Sequence, residues 1–209
     1  VPVAIESSSS CTAIIEEFLD GPEVSVHVFA VDRKVQFQLV SDRHVWDGPL
    51  TGVPSAHTVP SRFVDAQTLT QIDDLVREVV RFLEVTTGPM YFQLILTEHG
   101  PRIVEIAPRL DGCHLWRLVE LHTGFNILDR CFELLAGEPW QAVDYDEDGS
   151  THELQFLLAD PSNVFHAADW QSDASSTVLY EEFQVEEGQH PRRTNDVVAR
   201  LGFRIVEVL

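Results

Sequence analysis

The stretch that decides the fold is GPRIVEIAPRLDG, residues 100–112. A Gly-Pro turn opens it, an apolar strand is predicted over residues 103–107, and a proline ends that strand. An acid inside a buried strand, here Glu105, is costly unless a cation meets it. Arg109 or a bound metal ion could be that cation. We therefore take Glu105 and Arg109 as the chemical centre of the chain and work outward from them.

The length, composition and net charge of the chain indicate a folded protein with an acidic surface. Its 209 residues, 44% of them hydrophobic and 23% charged, are enough for one or two domains with a hydrophobic core. The net charge of −20 argues against nucleic acid or an anionic membrane as a partner. The 14 cations include a single lysine, Lys34, so a bound anion would be met by arginine, backbone N–H groups or a metal ion.

The cysteines and the apolar runs indicate the compartment. Cys11, Cys113 and Cys131 are widely spaced and odd in number, which favours reduced thiols in a cytoplasm over a disulfide framework. No apolar run approaches the ~20 residues of a membrane span. Residues 1–10 lack the basic start and the apolar core of a signal peptide. We expect a cytoplasmic protein.

The first third of the chain predicts an antiparallel meander. Residues 1–10 end in four serines and look like a linker. Residues 11–19 have the apolar, β-branched character of a strand, and residues 23–30 and 35–40 alternate as half-buried strands do. Short turns between the three favour antiparallel pairing. Residues 41–63, rich in Pro, Gly and His, are predicted to form a long irregular loop.

Helical periodicity recurs further along the chain. Three helices are predicted, over residues 70–83, 114–121 and 127–135. Thr70 with Asp73 resembles a capping box at the start of the first helix. Asn126 or Thr123 can cap the third helix, and Gly137 can end it.

Gln93 is the polar residue that the predicted strand pairing brings to the centre. A strand is predicted over residues 90–97, and a hairpin turn joins it to the opening strand. Counting outward from that turn places Gln93 near Glu105, so both side chains could reach one ligand. Together they form an oxygen-donor pair for a hard cation such as Mg²⁺. Alone, Glu105 is as readily a structural salt-bridge partner of Arg109 or Arg102.

The last third of the chain is β-rich. After an acidic connector, short strands are predicted over residues 152–159, 176–185 and 203–209, with a helical turn over residues 195–200. The chain therefore divides into a linker-like start, an α+β unit and a smaller β-rich unit, with bounds 1–10, 11–140 and 141–209. The fold class is α+β, an antiparallel sheet with packed helices.

In order, spacing and residue types, residues 11–140 resemble the C-terminal half of ATP-grasp enzymes of the carboxylate–amine ligase type. The matching motifs are IIEEFLDGPEVSV, MYFQLIL, IVEIAPRLDG, TGFN and LLAGE. The β-rich tail, with RLGFRIVEV near its end, is loosely similar to the C-terminal subdomain of amino-acid and dipeptide ligases. The resemblance implies ATP and Mg²⁺ as cofactors, small amino-acid-like carboxylate and amine substrates, and an acyl-phosphate intermediate.

The resemblance also implies roles for individual residues. Glu16, Glu17, Phe18 and Leu19 match the hinge whose backbone groups bind adenine, although residues 16–23 taken alone read as an ordinary hairpin turn. The remaining matches are Glu23 for the ribose hydroxyls, Val104 for the adenine pocket, Arg43 as a cation near the phosphates, Glu105 as a Mg²⁺ ligand, Gln93 at the second metal position, and Arg109 as the catalytic arginine that holds substrate or acyl phosphate.

Three departures from the family pattern accompany the resemblance. Gln93 stands where the family has a second metal-binding acid, Ala107 where it has an asparagine, and Asp111 where it has a glycine. The family's N-terminal half, with its phosphate-binding lysines, has no counterpart in these residues. We therefore expect the C-terminal portion of a ligase, inactive alone. The alternatives are a degenerate nucleotide-binding or scaffold module, and an acidic interaction domain without a nucleotide site. The sequence leaves the substrates and the oligomeric state open, with a homodimer as one option.

Overall fold

A computed structural model describes residues 2–46, 52–142, 145, 149–160, 162–171, 175–192 and 199–208. The α-helices are α1 (Pro2–Ser7), α2 (Ala66–Phe82), α3 (Leu115–Thr123) and α4 (Ile127–Leu135). The strands are β1 (Glu23–Val31), β2 (Lys34–Val45), β3 (Pro54–Val59), β4 (Thr87–Thr97), β5 (Gly100–Ala107), β6 (Thr151–Ala159), β7 (Ser176–Phe183) and β8 (Ala199–Val208).

The described strands form one antiparallel sheet in the order β5-β4-β1-β2-β3-β6-β8-β7. The α+β fold predicted from the sequence is thus confirmed. Pairing of β3 with β6 carries the sheet across the boundary expected after residue 140. The division into domains stays a prediction.

One face of the sheet packs against α2. Val24, Val26 and Val28 alternate along β1 and are fully buried there, together with Ile72 and Val76 of the helix. The two periods explain the contact, since alternate residues of a strand share one face and residues four apart share one helix stripe.

The opposite face is divided between an aromatic core and a polar surface. Phe29 and Phe37, on β1 and β2, pack against Phe125 from the loop between α3 and α4, with the Phe37 and Phe125 rings stacked 4.2 Å apart. This core continues onto β6 and β8 through Leu154 and Phe203. Toward β4 and β5, the same face carries polar side chains instead, and there it forms the candidate site.

Two predictions for the first 63 residues are wrong. Residues 11–19 form no strand and are almost entirely exposed. The linker-like start contains the short, exposed helix α1, and its role as a linker stays a prediction. The predicted loop 41–63 contains the end of β2 and all of β3. That pairing is hidden in the sequence because the buried residues there include His57 and Thr58, which are polar and break the apolar alternation.

The caps of two helices test the local predictions. Helix α2 begins earlier than predicted, and the Asp65 side chain caps it by accepting the Thr68 N–H at 2.7 Å. The predicted cap at Thr70 is therefore wrong. Asn126 is confirmed as the cap of α4, since its side-chain oxygen accepts the Asp129 N–H at 2.9 Å.

The strands predicted in the last third are confirmed with shifted ends, as β6, β7 and β8. Most of the predicted helical turn 195–200 lies outside the described residues, and its last two, Ala199 and Arg200, begin β8. Part of the acidic connector also lies outside them. Within the described ranges, no helix is long and apolar enough to span a membrane.

Replacing the helix cap tests which residue starts α2. Asp65→Ala is expected to lower the free energy of unfolding by about 1 kcal/mol, because the Thr68 N–H loses its acceptor. Thr70→Ala, inside the helix, is expected to change it by less than about 0.5 kcal/mol. Urea denaturation of the two variants measures both values, and equal losses would contradict the assignment of Asp65.

Candidate functional site

The site is a row of polar side chains across three paired strands. Gln93 on β4 lies directly opposite Glu105 on β5, and on its other side opposite Ser25 on β1. Directly paired residues project from the same face of a sheet, with their side chains in contact range. The predicted proximity of Gln93 and Glu105 is thus confirmed.

Glu23 is held from two sides. One carboxylate oxygen, Oε2, accepts hydrogen bonds from the Arg43 guanidinium and from the Gln93 amide nitrogen, the latter at 2.9 Å. Arg43 also donates to the Gly52 carbonyl at 3.0 Å. The Arg43 and Glu23 side chains are only 10% and 22% exposed, so this ion pair is less screened by water than a surface pair. It fixes three strands, β4, β1 and β2, to one carboxylate.

Glu105 pairs with Arg109 in the structure. The guanidinium lies 3.3 Å from the carboxylate, donates to the Leu110 carbonyl at 3.0 Å, and lies 5.9 Å from the centre of the Tyr91 ring. Arg102, the other candidate partner, contacts the backbone of its neighbour. Both members of the Glu105–Arg109 pair are about half exposed, and such pairs contribute roughly 0–1 kcal/mol. Either group can therefore turn to a ligand at little cost.

The predicted hinge precedes Glu23 in the chain. Glu16, Glu17 and Phe18 are exposed, Leu19 is half-buried, and none of the four has regular structure. The chain is fastened just after them, where the Leu96 N–H donates to the Pro22 carbonyl at 2.9 Å.

Two backbone features support this arrangement. Gly21 has a φ of +147°, and a Cβ there would lie 2.1 Å from the Leu96 carbonyl oxygen, so the close approach requires glycine. Val104 is the extra residue of a β-bulge, since Gln93 pairs with Glu105 while Leu94 pairs with Ile103. Val104 is 49% exposed. Its contact with adenine, like that of the hinge, stays a prediction.

A buried polar layer lies beside the site on the same face of the sheet, and sequence reasoning missed it. The His27 ring lies 3.3 Å from the Ser41 hydroxyl, which lies 3.4 Å from the His57 ring, and the Ser25 and Tyr91 hydroxyls are 3.0 Å apart. The sequence feature that could have indicated this layer is the alternation of polar with apolar residues, as at Ser25 and His27 between the valines of β1.

Burial keeps the ionisable members of this layer neutral at pH 7. It lowers the pKa of His27 to about 4, against an opposing effect of the nearby Asp111 charge. Burial also lowers the pKa of His57 well below its ordinary value, with His27 and Arg43 adding to the effect. Burial raises the pKa of the Tyr91 phenol to about 12. The layer is thus uncharged, and it lies beside the charged side chains of the site.

Asp111 and Cys113 lie where the family motif ends. The Asp111 carboxylate accepts the Cys113 N–H at 2.6 Å. Its negative charge acts to raise the pKa of both His27 and Tyr91 in the buried polar layer. Burial, together with Asp111, raises the pKa of the Cys113 thiol to about 12. Cys113 is therefore a protonated thiol at pH 7 and not a nucleophile.

The donor set does not fit a divalent cation held by protein side chains alone. Glu105 offers one carboxylate, already paired with Arg109, and the Gln93 amide donates to Glu23. Ala107, on the same face, has no oxygen to offer. Among the residues that the structure describes, no three His, Cys, Asp or Glu side chains are grouped to hold a metal ion. Mg²⁺ sites of this kind depend on substrate phosphates for further ligands.

Solved structures of other proteins share this fold. A phosphoribosylglycinamide synthetase of Anaerococcus prevotii superposes with a TM-score of 0.71 at 18% identity, over 92% of this chain and 49% of that one. An L-amino acid ligase of Bacillus licheniformis superposes with a TM-score of 0.73 at 17% identity, over 91% and 47%.

The sequence comparisons then define the family. Residues 4–112 match the family model described as the phosphoribosylglycinamide synthetase ATP-grasp (A) domain. Because the match covers more than half of the chain, the chain belongs to this ATP-grasp family, of the carboxylate–amine ligase type.

Relatives match over different lengths. A phosphoribosylamine–glycine ligase of Methanococcus maripaludis is 30% identical over 138 residues, 60% of this chain and 31% of that protein. An uncharacterized protein of Sinorhizobium fredii is 26% identical over 203 residues, 93% of this chain and 40% of that protein. The chain thus spans less than half the length of each protein named here.

Acid is expected to destabilise the folded protein, because His27 is buried in its neutral form. The unfolded chain binds a proton at His27 near pH 6.5 and the folded protein only near pH 4, so stability falls as the pH falls through this window. At about 1.4 kcal/mol per pKa unit, the loss from His27 reaches roughly 3 kcal/mol at pH 4.

Urea denaturation between pH 7.5 and 4.5 measures the effect. His27→Gln is expected to flatten the pH dependence of the free energy of unfolding, whereas the exposed control His99→Gln keeps the wild-type slope. Parallel curves for the wild type and His27→Gln would contradict the assignment of a neutral, buried His27.

Proposed function

We propose that this chain forms the nucleotide-binding part of an ATP-dependent carboxylate–amine ligase. The observation that carries the proposal is the gathering of Glu23, Arg43, Gln93, Glu105 and Arg109 on one open sheet face. Membership of the ATP-grasp family supports it, as does the exposed hinge that precedes Glu23 in the chain.

In the proposed complex, the nucleotide lies along the row from the hinge to β5. The hinge residues Glu16–Leu19 bind adenine through their backbone groups, with Val104 against the base. Glu23 accepts the ribose hydroxyls, for which it has a second carboxylate oxygen beside the one that Arg43 and Gln93 use. The uncharged polar layer beside these charged side chains, formed by His27, Ser41 and His57, is hydrogen-bonded and buried.

The phosphates then reach the cationic end of the face. Arg43 is largely buried, so it acts as a fixed positive charge near them. Arg109 is half exposed and weakly held, so its planar guanidinium can leave Glu105 and bind phosphoryl or carboxylate oxygens in pairs. In this proposal Mg²⁺ enters with the nucleotide, as the counter-ion of its phosphates.

The proposed reaction needs no protein nucleophile. A substrate carboxylate attacks the γ-phosphorus, ADP leaves, and the acyl phosphate that results is opened by an amine, with phosphate leaving and a proton released. Protein groups position the reactants and balance the charge of the phosphoryl group. Small carboxylate and amine substrates of amino-acid size are supported by the relative that is a phosphoribosylamine–glycine ligase and by the structural neighbour that is an L-amino acid ligase.

A second candidate is a nucleotide-binding or scaffold module without ligase activity. Gln93 supports it, because an amide replaces the acid that the family places there, and so does Ala107. Both arginines of the face are also already paired with carboxylates. Under either candidate, we expect the 209 residues alone to bind nucleotide without completing ligation.

Nucleotide affinity tests the shared part of both candidates. In calorimetry with ADP, Glu23→Gln is expected to weaken binding by at least about tenfold, the loss of roughly 1.4 kcal/mol, because a neutral amide replaces the carboxylate that accepts the ribose hydroxyls. Glu84→Gln removes the same charge from an exposed residue after α2 and is the matched control. Absence of ADP binding by the wild type, or equal affinity in the Glu23→Gln variant, would leave the acidic interaction domain as the better account.

Turnover tests the ligase proposal separately. With ATP, Mg²⁺ and a mixture of amino acids, this chain is expected to form no ADP above the protein-free rate. Amino-acid-dependent ADP formation by the 209 residues would overturn the expectation of inactivity and would rule out the scaffold alternative.

A further inference from the structure

We propose that Gln93 sets the charge balance of the site so that the folded face binds no divalent cation through its own side chains. At this position a hydrogen-bond donor stands between two carboxylates, and arginines of the same face pair with both acids. The inference concerns the metal alone and does not rest on the proposed nucleotide function.

The first step is the position of residue 93 between two carboxylates. Gln93 lies directly opposite Glu105 in the β4–β5 register, and its amide nitrogen lies 2.9 Å from the Glu23 carboxylate. A side chain at this position therefore meets both acids. An acid there would bring three carboxylates together, an arrangement that repels itself unless a cation binds.

The Gln93 side chain is the donor of its hydrogen bond to Glu23. An amide nitrogen donates, whereas a carboxylate only accepts. Gln93 therefore donates a hydrogen bond to the Glu23 carboxylate, and Arg43 on the neighbouring strand supplies the matching positive charge. The carboxylate thus has its partners without a metal ion. Both donors use the same carboxylate oxygen, Oε2, so a metal ion at that oxygen would have to displace an arginine whose side chain is only 10% exposed. The other oxygen alone offers one ligand, too few to hold a divalent cation.

The third step is charge balance across the rest of the row. Glu105 has Arg109 at 3.3 Å, so the two acids of the row are matched by two arginines. Ala107, two residues after Glu105 on the same face, is 8% exposed and lies opposite Tyr91, where it offers no oxygen. Neither strand thus provides the second carboxylate that a protein-held Mg²⁺ requires.

Restoring the acid should create the metal site. In Gln93→Glu, the donor to Glu23 is lost and a third carboxylate is added, so the variant is expected to be less stable than the wild type without metal. Binding of Mn²⁺ or Mg²⁺ should recover that stability, because the ion takes over the role of the lost donor. Gln93→Glu with Ala107→Asn adds one further oxygen on the same face.

The experiment titrates Mn²⁺ and Mg²⁺ alone into the intact chain, by calorimetry and by thermal unfolding, without nucleotide. The wild type is expected to show no saturable binding below about 1 mM, whereas Gln93→Glu binds Mn²⁺ at least about tenfold more tightly. Gln36→Glu, at an exposed position of β2, adds the same charge elsewhere and should behave like the wild type.

The outcomes separate cleanly. A gain in Gln93→Glu and in the double variant, absent in Gln36→Glu, supports the proposal. Saturable submillimolar binding by the wild type overturns it, whether or not the variants fold. No gain in a folded Gln93→Glu, or an equal gain in Gln36→Glu, also overturns it, because residue 93 would then not determine metal binding.

Discussion

The Glu23 carboxylate, shared between Arg43 and Gln93, is the interaction on which the site depends. It joins the side chains of β4, β1 and β2 at one point and lies at the first residue of β1. Because both donors come from neighbouring strands, the antiparallel register fixes their positions before any ligand binds. The site is therefore largely pre-organised, and ligand binding would reorganise exposed groups more than buried ones.

The buried polar layer explains how so polar a surface can be rigid. Burial holds His27 and His57 uncharged, and their hydrogen bonds with Ser41 run across β1, β2 and β3. An uncharged, hydrogen-bonded layer avoids the cost of burying ions, while it still satisfies polar groups that an apolar core would leave unpaired. Beside this layer, the exposed Glu105–Arg109 pair remains free to exchange partners.

Much of the sheet could be predicted from the sequence, and so could part of the site. Clear alternation predicted β1, and counting outward from the hairpin turn at Gly100 placed Gln93 near Glu105. A simple count pairs Gln93 with Val104, and the β-bulge at Val104 moves the pairing to Glu105. Across the β1–β2 turn, a simple count pairs Glu23 with Asp42, and the bulge after Phe29 shifts the register by one residue toward Arg43. Local signals therefore indicated which strands pair across a turn, whereas the bulges decide which residues face each other.

The remaining features depend on contacts distant in sequence. Strand β3 pairs with β6 almost one hundred residues later, and its buried positions are occupied by His57 and Thr58, so periodicity could not indicate it. The strand predicted over residues 11–19 was wrong for the opposite reason. The β-branched residues are present there, but among the described residues they have no partner strand. Composition alone does not reveal whether a strand partner exists.

Hydrogen–deuterium exchange of the intact chain with and without ADP locates the nucleotide site. We expect slower exchange at residues 16–23, which include the predicted hinge, and at residues 91–93 and 103–109, with no change at α4 or β7. Protection confined to α4, β7 or the α2 face of the sheet, with the hinge unaffected, would contradict the assignment of this face as the nucleotide site.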